Sequence, residues 1–173
     1  TGTIAFMMDC DTTGIEPDFA LLKFKKLAGG GSMKIANQSV SPALRALGYS
    51  EGETQDIMRF VAGTLSLEGA PHVNRRALQA KGFTDADIAR VEAALPQVFD
   101  LPYAFTPSIL GEEAMHRIGV AEESIHDASY NVLRHLGFSR EEIDEANTVV
   151  CGRMTVEGAP HLKENHLPVF DCA

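Results

Sequence analysis

The chain has 173 residues, 45% hydrophobic and 23% charged, with a formal charge of −9. That length holds one ordinary domain, or one domain and an appendage, and the composition is that of a globular chain able to bury a core. The acidic balance argues against a nucleic-acid backbone as main partner, because phosphate neutralisation needs clustered Lys and Arg. No apolar run approaches the ~20 residues of a membrane span, and no basic, apolar leader opens the chain.

Cys10, Cys151 and Cys172 are odd in number and far apart. They match neither metal-ligand spacing nor a secreted disulfide framework, which predicts a reducing, cytoplasmic setting. The opening without Met and the apolar end Val169–Ala173 predict a piece of a larger enzyme.

In chain order, residues 3–8 (Thr-Ile-Ala-Phe-Met-Met) predict a short buried strand. It runs into Asp9, Asp11, Thr12, Thr13 and Gly14, a cluster of turn formers. Residues 19–27 and 33–38 flank Gly29-Gly30-Gly31-Ser32 and predict a β-hairpin, since glycines supply the positive φ of a tight turn. Lys23, Lys25 and Lys26 fall on the solvated face of its first strand, against Leu22 and Phe24.

From Ser41 the pattern is helical. Three phrases share one design: Gly48-Tyr49-Ser50-x-x-Glu53, Gly82-Phe83-Thr84-x-x-Asp87 and Gly137-Phe138-Ser139-x-x-Glu142. Each is a helix-ending Gly, an aromatic staple, then a Ser or Thr N-cap with an acid three residues on. Gly119-Val120-Ala121 is a weaker fourth instance. Helices are expected near 42–47, 53–62, 74–80, 85–95, 111–117, 122–135 and 140–150, with Pro102 and Pro107 bracketing a connection.

The pentapeptide Glu68-Gly69-Ala70-Pro71-His72 returns as Glu157-Gly158-Ala159-Pro160-His161, an offset of 157 − 68 = 89. At the same offset Leu44, Arg45, Leu47, Gly48, Ser50, Glu53, Gly63 and Leu78 match Leu133, Arg134, Leu136, Gly137, Ser139, Glu142, Gly152 and Leu167. Residues 41–78 are thus duplicated as 130–167. Two copies are too few for a solenoid and predict a pseudo-symmetric helical pair. His72 and His161 are expected to serve the turn structurally, ahead of a shared metal site, because no carboxylate or Cys stands at ligand spacing beside either.

No nucleophile elbow, Walker loop, Rossmann glycine pattern or paired-His zinc helix is present, so no catalytic residue and no metal ligand is assigned. Asp9 and Asp11 are read as turn formers ahead of general bases or magnesium ligands. Thr1-Gly2-Thr3-Ile4 is a Thr/Gly turn entering a strand, able to present backbone N–H groups and hydroxyls to a phosphate.

Together with Met8-Asp9-Cys10-Asp11-Thr12-Thr13-Gly14-Ile15-Glu16-Pro17-Asp18, Asn37-Gln38-Ser39-Val40 and His166-Leu167-Pro168-Val169-Phe170-Asp171-Cys172-Ala173, that turn resembles the catalytic chain of adenosylcobalamin-dependent (class II) ribonucleotide reductase. The resemblance spans the chain. It implies that Thr1, Gly2, Thr3 and Ile4 bind the phosphates of a ribonucleotide substrate at the end of an α/β barrel, with the preceding Pro of the family's turn missing. The radical Cys, the redox Cys pair and the substrate-binding Asn and Glu of the family lie in motifs not found here. The chain alone is therefore expected to be inactive and not to bind adenosylcobalamin.

The expected fold class is α+β. Residues 1–40 form a strand, turn and hairpin from a barrel edge, residues 41–160 a mostly helical duplicated insertion, and residues 161–173 a return to the barrel. The competing reading is a non-catalytic helical interaction or oligomerisation module, self-associating through its helices or barrel-edge strands.

Overall fold

The computed structural model describes Ile4, Met7, Met8 and residues 20–26, 32–127 and 130–172. Strands β1 (Leu22–Lys26) and β2 (Ser32–Ala36) pair antiparallel, in a register running from Leu22↔Ala36 to Lys26↔Ser32. This is the expected hairpin; its glycine turn at 27–31 lies outside the described residues. The rest is helical, so the chain is α+β with a small sheet.

The buried strand expected at 3–8 is not what the described residues show. Ile4 and Met7 are helical, and Ile4, Met7 and Met8 are 67%, 80% and 71% exposed. The Met8 N–H bonds the Ile4 carbonyl at 3.0 Å. Among the described residues the two strands pair only with each other. A segment without a ladder partner satisfies its backbone locally, by i→i−4 bonds.

Nine helices follow among the described residues: α1 (Val40–Ala46), α2 (Glu51–Ala62), α3 (Arg75–Ala80), α4 (Asp85–Ala94), α5 (Pro107–Leu110), α6 (Glu112–Arg117), α7 (Glu122–Ile125), α8 (Val132–His135) and α9 (Arg140–Val150). Gly48, Gly82 and Gly137 take φ of +90°, +98° and +89°, the left-handed turn that ends a helix. The next aromatic's N–H then reaches back to the carbonyl of Leu44, Leu78 or Leu133 at 3.1–3.2 Å. Ser50, Thr84 and Ser139 accept the N–H of Glu53, Asp87 and Glu142, and those acids accept the cap's own N–H at 2.7–2.8 Å. All three anticipated capping boxes form, each of a kind that contributes about 1 kcal/mol. The fourth instance is half realised: Val120 N–H bonds Met115, but Ala121 offers no cap.

The single helix expected over 122–135 is broken into α7 and α8. Asn131 turns its side chain to the Arg134 N–H at 3.1 Å and starts a new helix. Such a residue favours a cap over a helix interior. Pro107, expected to lie in a connection, instead opens α5 at a position where its missing N–H costs nothing.

The chain forms two compact units. Unit 1 is Thr1–Ala62 with Arg153–Ala173, and unit 2 is Gly63–Gly152. The division cuts each repeat between its second helix and its return segment. In unit 1 the α2 helix of the first repeat receives the return segment of the second: Arg153 N–H bonds Phe60 at 2.8 Å and Met154 N–H bonds Val61 at 3.0 Å. In unit 2 the α9 helix receives the return segment of the first: Thr64 N–H bonds Val149 at 2.9 Å and Leu65 N–H bonds Val150 at 3.0 Å. These are the same bonds shifted by 89 residues, and the repeats have exchanged tails. Val61 and Val150, also identical at that offset, are both buried.

Each unit has its own core. Unit 1 packs Leu22, Val40, Leu44, Ile57 and Val61 around Val156, Ala159 and Phe170. Unit 2 packs Leu67, Leu78, Ile88, Leu101, Phe105 and Leu133 in a larger cluster.

Candidate functional site

The repeated Gly-Ala-Pro-His turn is built alike twice. Gly69 and Gly158 take φ of +70° and +79°, Ala70 and Ala159 are buried, and His72 and His161 take φ of +53° and +66°. A left-handed backbone at a β-carbon-bearing residue costs roughly 1–2 kcal/mol. The described non-glycine residues with positive φ form two repeat pairs, Leu65 with Met154 and His72 with His161. Among the described residues this strain therefore sits in the exchanged segments.

The turns aim both imidazoles at helix carboxylates. His72 Nε2 is 2.9 Å from Glu145 and its Nδ1 is 3.5 Å from Glu142. His161 Nε2 is 3.3 Å from Asp56. Glu145 and Asp56 are equivalent at the 89-residue offset. Beside Asp56, the Glu53 carboxyl is held below its ordinary range first by the Ser50 N–H and hydroxyl, then by His161 and Lys163. His72 and His161 lie in different units, each with its own acid, and among the described residues no group of three His, Cys, Asp or Glu could hold a metal.

Unit 1 adds a second tie. Lys163 N–H donates to the Tyr49 hydroxyl at 3.0 Å, and that hydroxyl lies 2.8 Å from His166 Nδ1. Having accepted the Lys163 N–H, the hydroxyl keeps its own proton, which suits it to donate to Nδ1 of an imidazole protonated on Nε2. The two rings meet edge-on at 5.6 Å. The return segment leads from this clip to a cleft of about 260 Å³ lined by Leu21, Met154, Thr155, Glu157, Phe170 and Cys172, among others. Cys172 is exposed, and its thiol points at the Phe170 carbonyl, 3.7 Å away.

In unit 2 the charge centre is Asp87, 1% exposed. Burial alone would raise its carboxyl, but hydrogen bonds from the Thr84 hydroxyl and N–H, Arg90 and Arg117 outweigh burial and lower it to about 2. This is a structural anchor for α4: every oxygen is engaged, and none is left for a substrate.

Of the residues expected to bind phosphate, Thr1, Gly2 and Thr3 lie outside the described residues, and Ile4 is exposed on a helical turn. Asp9 and Asp11 also lie outside them. Asp56 and Glu145 escaped sequence reasoning, and Tyr49 was expected as an apolar staple without the hydroxyl's bonds to Lys163 and His166. For the two acids a signal existed: an acid recurs at the repeat offset as Asp56 and Glu145, as the histidines do.

A family model described as ribonucleotide reductase, barrel domain, matches residues 1–86. The vitamin B12-dependent ribonucleotide reductase of Bradyrhizobium diazoefficiens is 55% identical over 174 aligned residues, covering 100% of this chain and 14% of that protein. The enzyme of the same name from Agrobacterium fabrum is 53% identical, with the same coverage of both chains. That of Rhodopirellula baltica is 58% identical over 71 residues, 41% of this chain and 7% of the relative. The chain thus spans about a seventh of the length of the first two relatives.

Cavities lined by described residues include one of about 260 Å³ in unit 1, and one of about 260 Å³ and an open hollow of about 550 Å³ in unit 2. No chemical step through adenosylcobalamin is assigned to the described residues.

Proposed function

Because this chain belongs to the vitamin B12-dependent ribonucleotide reductase family, we propose that it works as part of a longer enzyme that reduces ribonucleotides to deoxyribonucleotides. The carrying observation is sequence identity above 50% over the whole chain with two such enzymes. Adenosylcobalamin would be held by other parts of that enzyme and would supply the radical.

Within it, residues 1–40 and 161–173 belong to the barrel and residues 41–160 to a helical insertion. The barrel-domain match over residues 1–86 supports a barrel origin for residues 1–40, and it runs on through the first helices. The exposed Ile4, Met7 and Met8 are then side chains that neighbouring barrel strands cover. Thr1, Gly2, Thr3 and Ile4 contribute to the phosphate-binding edge, through N–H groups and two hydroxyls.

The test is the Thr1→Ala, Thr3→Ala double variant of the full-length enzyme. Losing two hydroxyl hydrogen bonds to a phosphate, about 1 kcal/mol or more each, raises the nucleotide KM on the order of tenfold or more. Because the phosphates sit away from the reacting centre, kcat stays within about threefold. Unchanged nucleotide affinity contradicts the phosphate role.

A further inference from the structure

The exchange of return segments has a consequence for unit 2. Unit 1 is closed by contacts of its own: Arg153 and Met154 N–H on α2, His161 on Asp56, Tyr49 on Lys163 and His166, and an apolar cluster confined to its residues. The cluster of unit 2 is confined equally to residues 67–151. The chain leaves unit 1 after Ala62 and re-enters it at Arg153.

Those two crossings are adjacent. A β-carbon on Gly63 would stand 2.7 Å from the Gly152 N and 2.3 Å from the Val150 carbonyl oxygen. Only glycine fits there, with the backbone of Gly63 packed against that of Gly152. The two glycines share φ of +78° and occupy the same place in the repeat. Replacing Gly63 by Gly152 as the residue after Ala62 thus preserves residue type and repeat register. The preceding residues, Val61-Ala62 and Val150-Cys151, are a buried Val and a small residue in both copies.

We propose that residues 63–151 are a removable module: joining Ala62 directly to Gly152 leaves unit 1 complete, and nucleotide reduction does not need the module. The second clause rests on the proposed function; the first stands without it. The latches on and just before α2, Asp56 with His161 and Tyr49 with His166, then set the path of the chain toward Asp171 and Cys172 by themselves.

The experiment deletes residues 63–151 from this chain and, separately, from the full-length enzyme. The shortened chain is expected to unfold in one cooperative transition, with the Arg153 and Lys163 amides protected from hydrogen exchange as in the intact chain. The shortened enzyme is expected to keep turnover within about twofold of its parent. A chain without a cooperative transition, or with those two amides exchanging freely, overturns the module; lost turnover with unit 1 intact overturns its dispensability. A parent enzyme that does not reduce ribonucleotides counts against the proposed function alone, and the folding result still decides the module. Leu133→Ala in the intact chain gives an independent reading. Exchange should accelerate at least tenfold in unit 2 and stay unchanged at Arg153 and Lys163; acceleration in both units overturns the proposal.

Discussion

Units 1 and 2 hold copies of the same helix pair, and they differ in what secures the borrowed return segment. At one repeat position unit 1 has Tyr49 and unit 2 has Phe138, each 8% exposed. The Tyr49 hydroxyl ties down Lys163 and His166, whereas Phe138 lies beneath the Lys81 ammonium at 5.4 Å. Unit 2 compensates with a larger core and the buried Asp87 hub. The backbone devices persisted through divergence: the left-handed glycines, the capping boxes and the His–acid pairs recur in both units. The polar staples did not. Duplication preserves what the chain path requires and leaves the packing around it free to change.

The sharpest way to separate the units is to cut equivalent core leucines. Leu44 and Leu133 are both fully buried. Leu→Ala at either should cost about 3–4 kcal/mol, with Leu44→Ala lowering only the unfolding transition of unit 1 and Leu133→Ala only that of unit 2. Calorimetry resolves the two, and a common shift in both would erase the distinction.

Asp87→Asn should cost unit 2 about 2–3 kcal/mol at pH 7, because it strips the shared carboxylate from Arg90 and Arg117. Both arginines are partly exposed and can rehydrate, which keeps the loss below that of a sealed ion pair. The folded carboxyl is depressed to about 2 from an ordinary 3.8. Its contribution is therefore fully present above about pH 4 and is lost as pH falls through 2. Acid titration of unit 2 should show that loss in the parent and not in the variant.

Tyr49→Phe makes unit 1 resemble unit 2 at this position. It should cost about 1 kcal/mol and speed exchange of the Lys163 amide. No change in that amide would mean the hydroxyl does not hold the segment.

Local chemistry was legible in the sequence. The capping boxes, the helix-ending Gly48, Gly82 and Gly137, and the pairing of the two strands announce themselves within a few residues, and these were anticipated. The helix over 122–135 failed because Asn131, a cap, was counted as helix interior. The strand at 3–8 was inferred from apolar residues alone, and Ile4, Met7 and Met8 instead stand exposed. The repeat revealed which residues correspond, but not which copy they pack on. A tail meets nearly the same surface on either helix pair, so one sequence pattern serves both the exchanged and the self-closed arrangement. For the same reason the partners of His72 and His161 were missed, lying 73 and 105 residues away.

That exchange is the central claim, and through-hydrogen-bond scalar couplings between amide nitrogen and carbonyl carbon test it directly. The account predicts couplings from Thr64 to Val149 and from Arg153 to Phe60. Couplings from Thr64 to Phe60 and from Arg153 to Val149 would mean that each repeat closes on itself, and would contradict it.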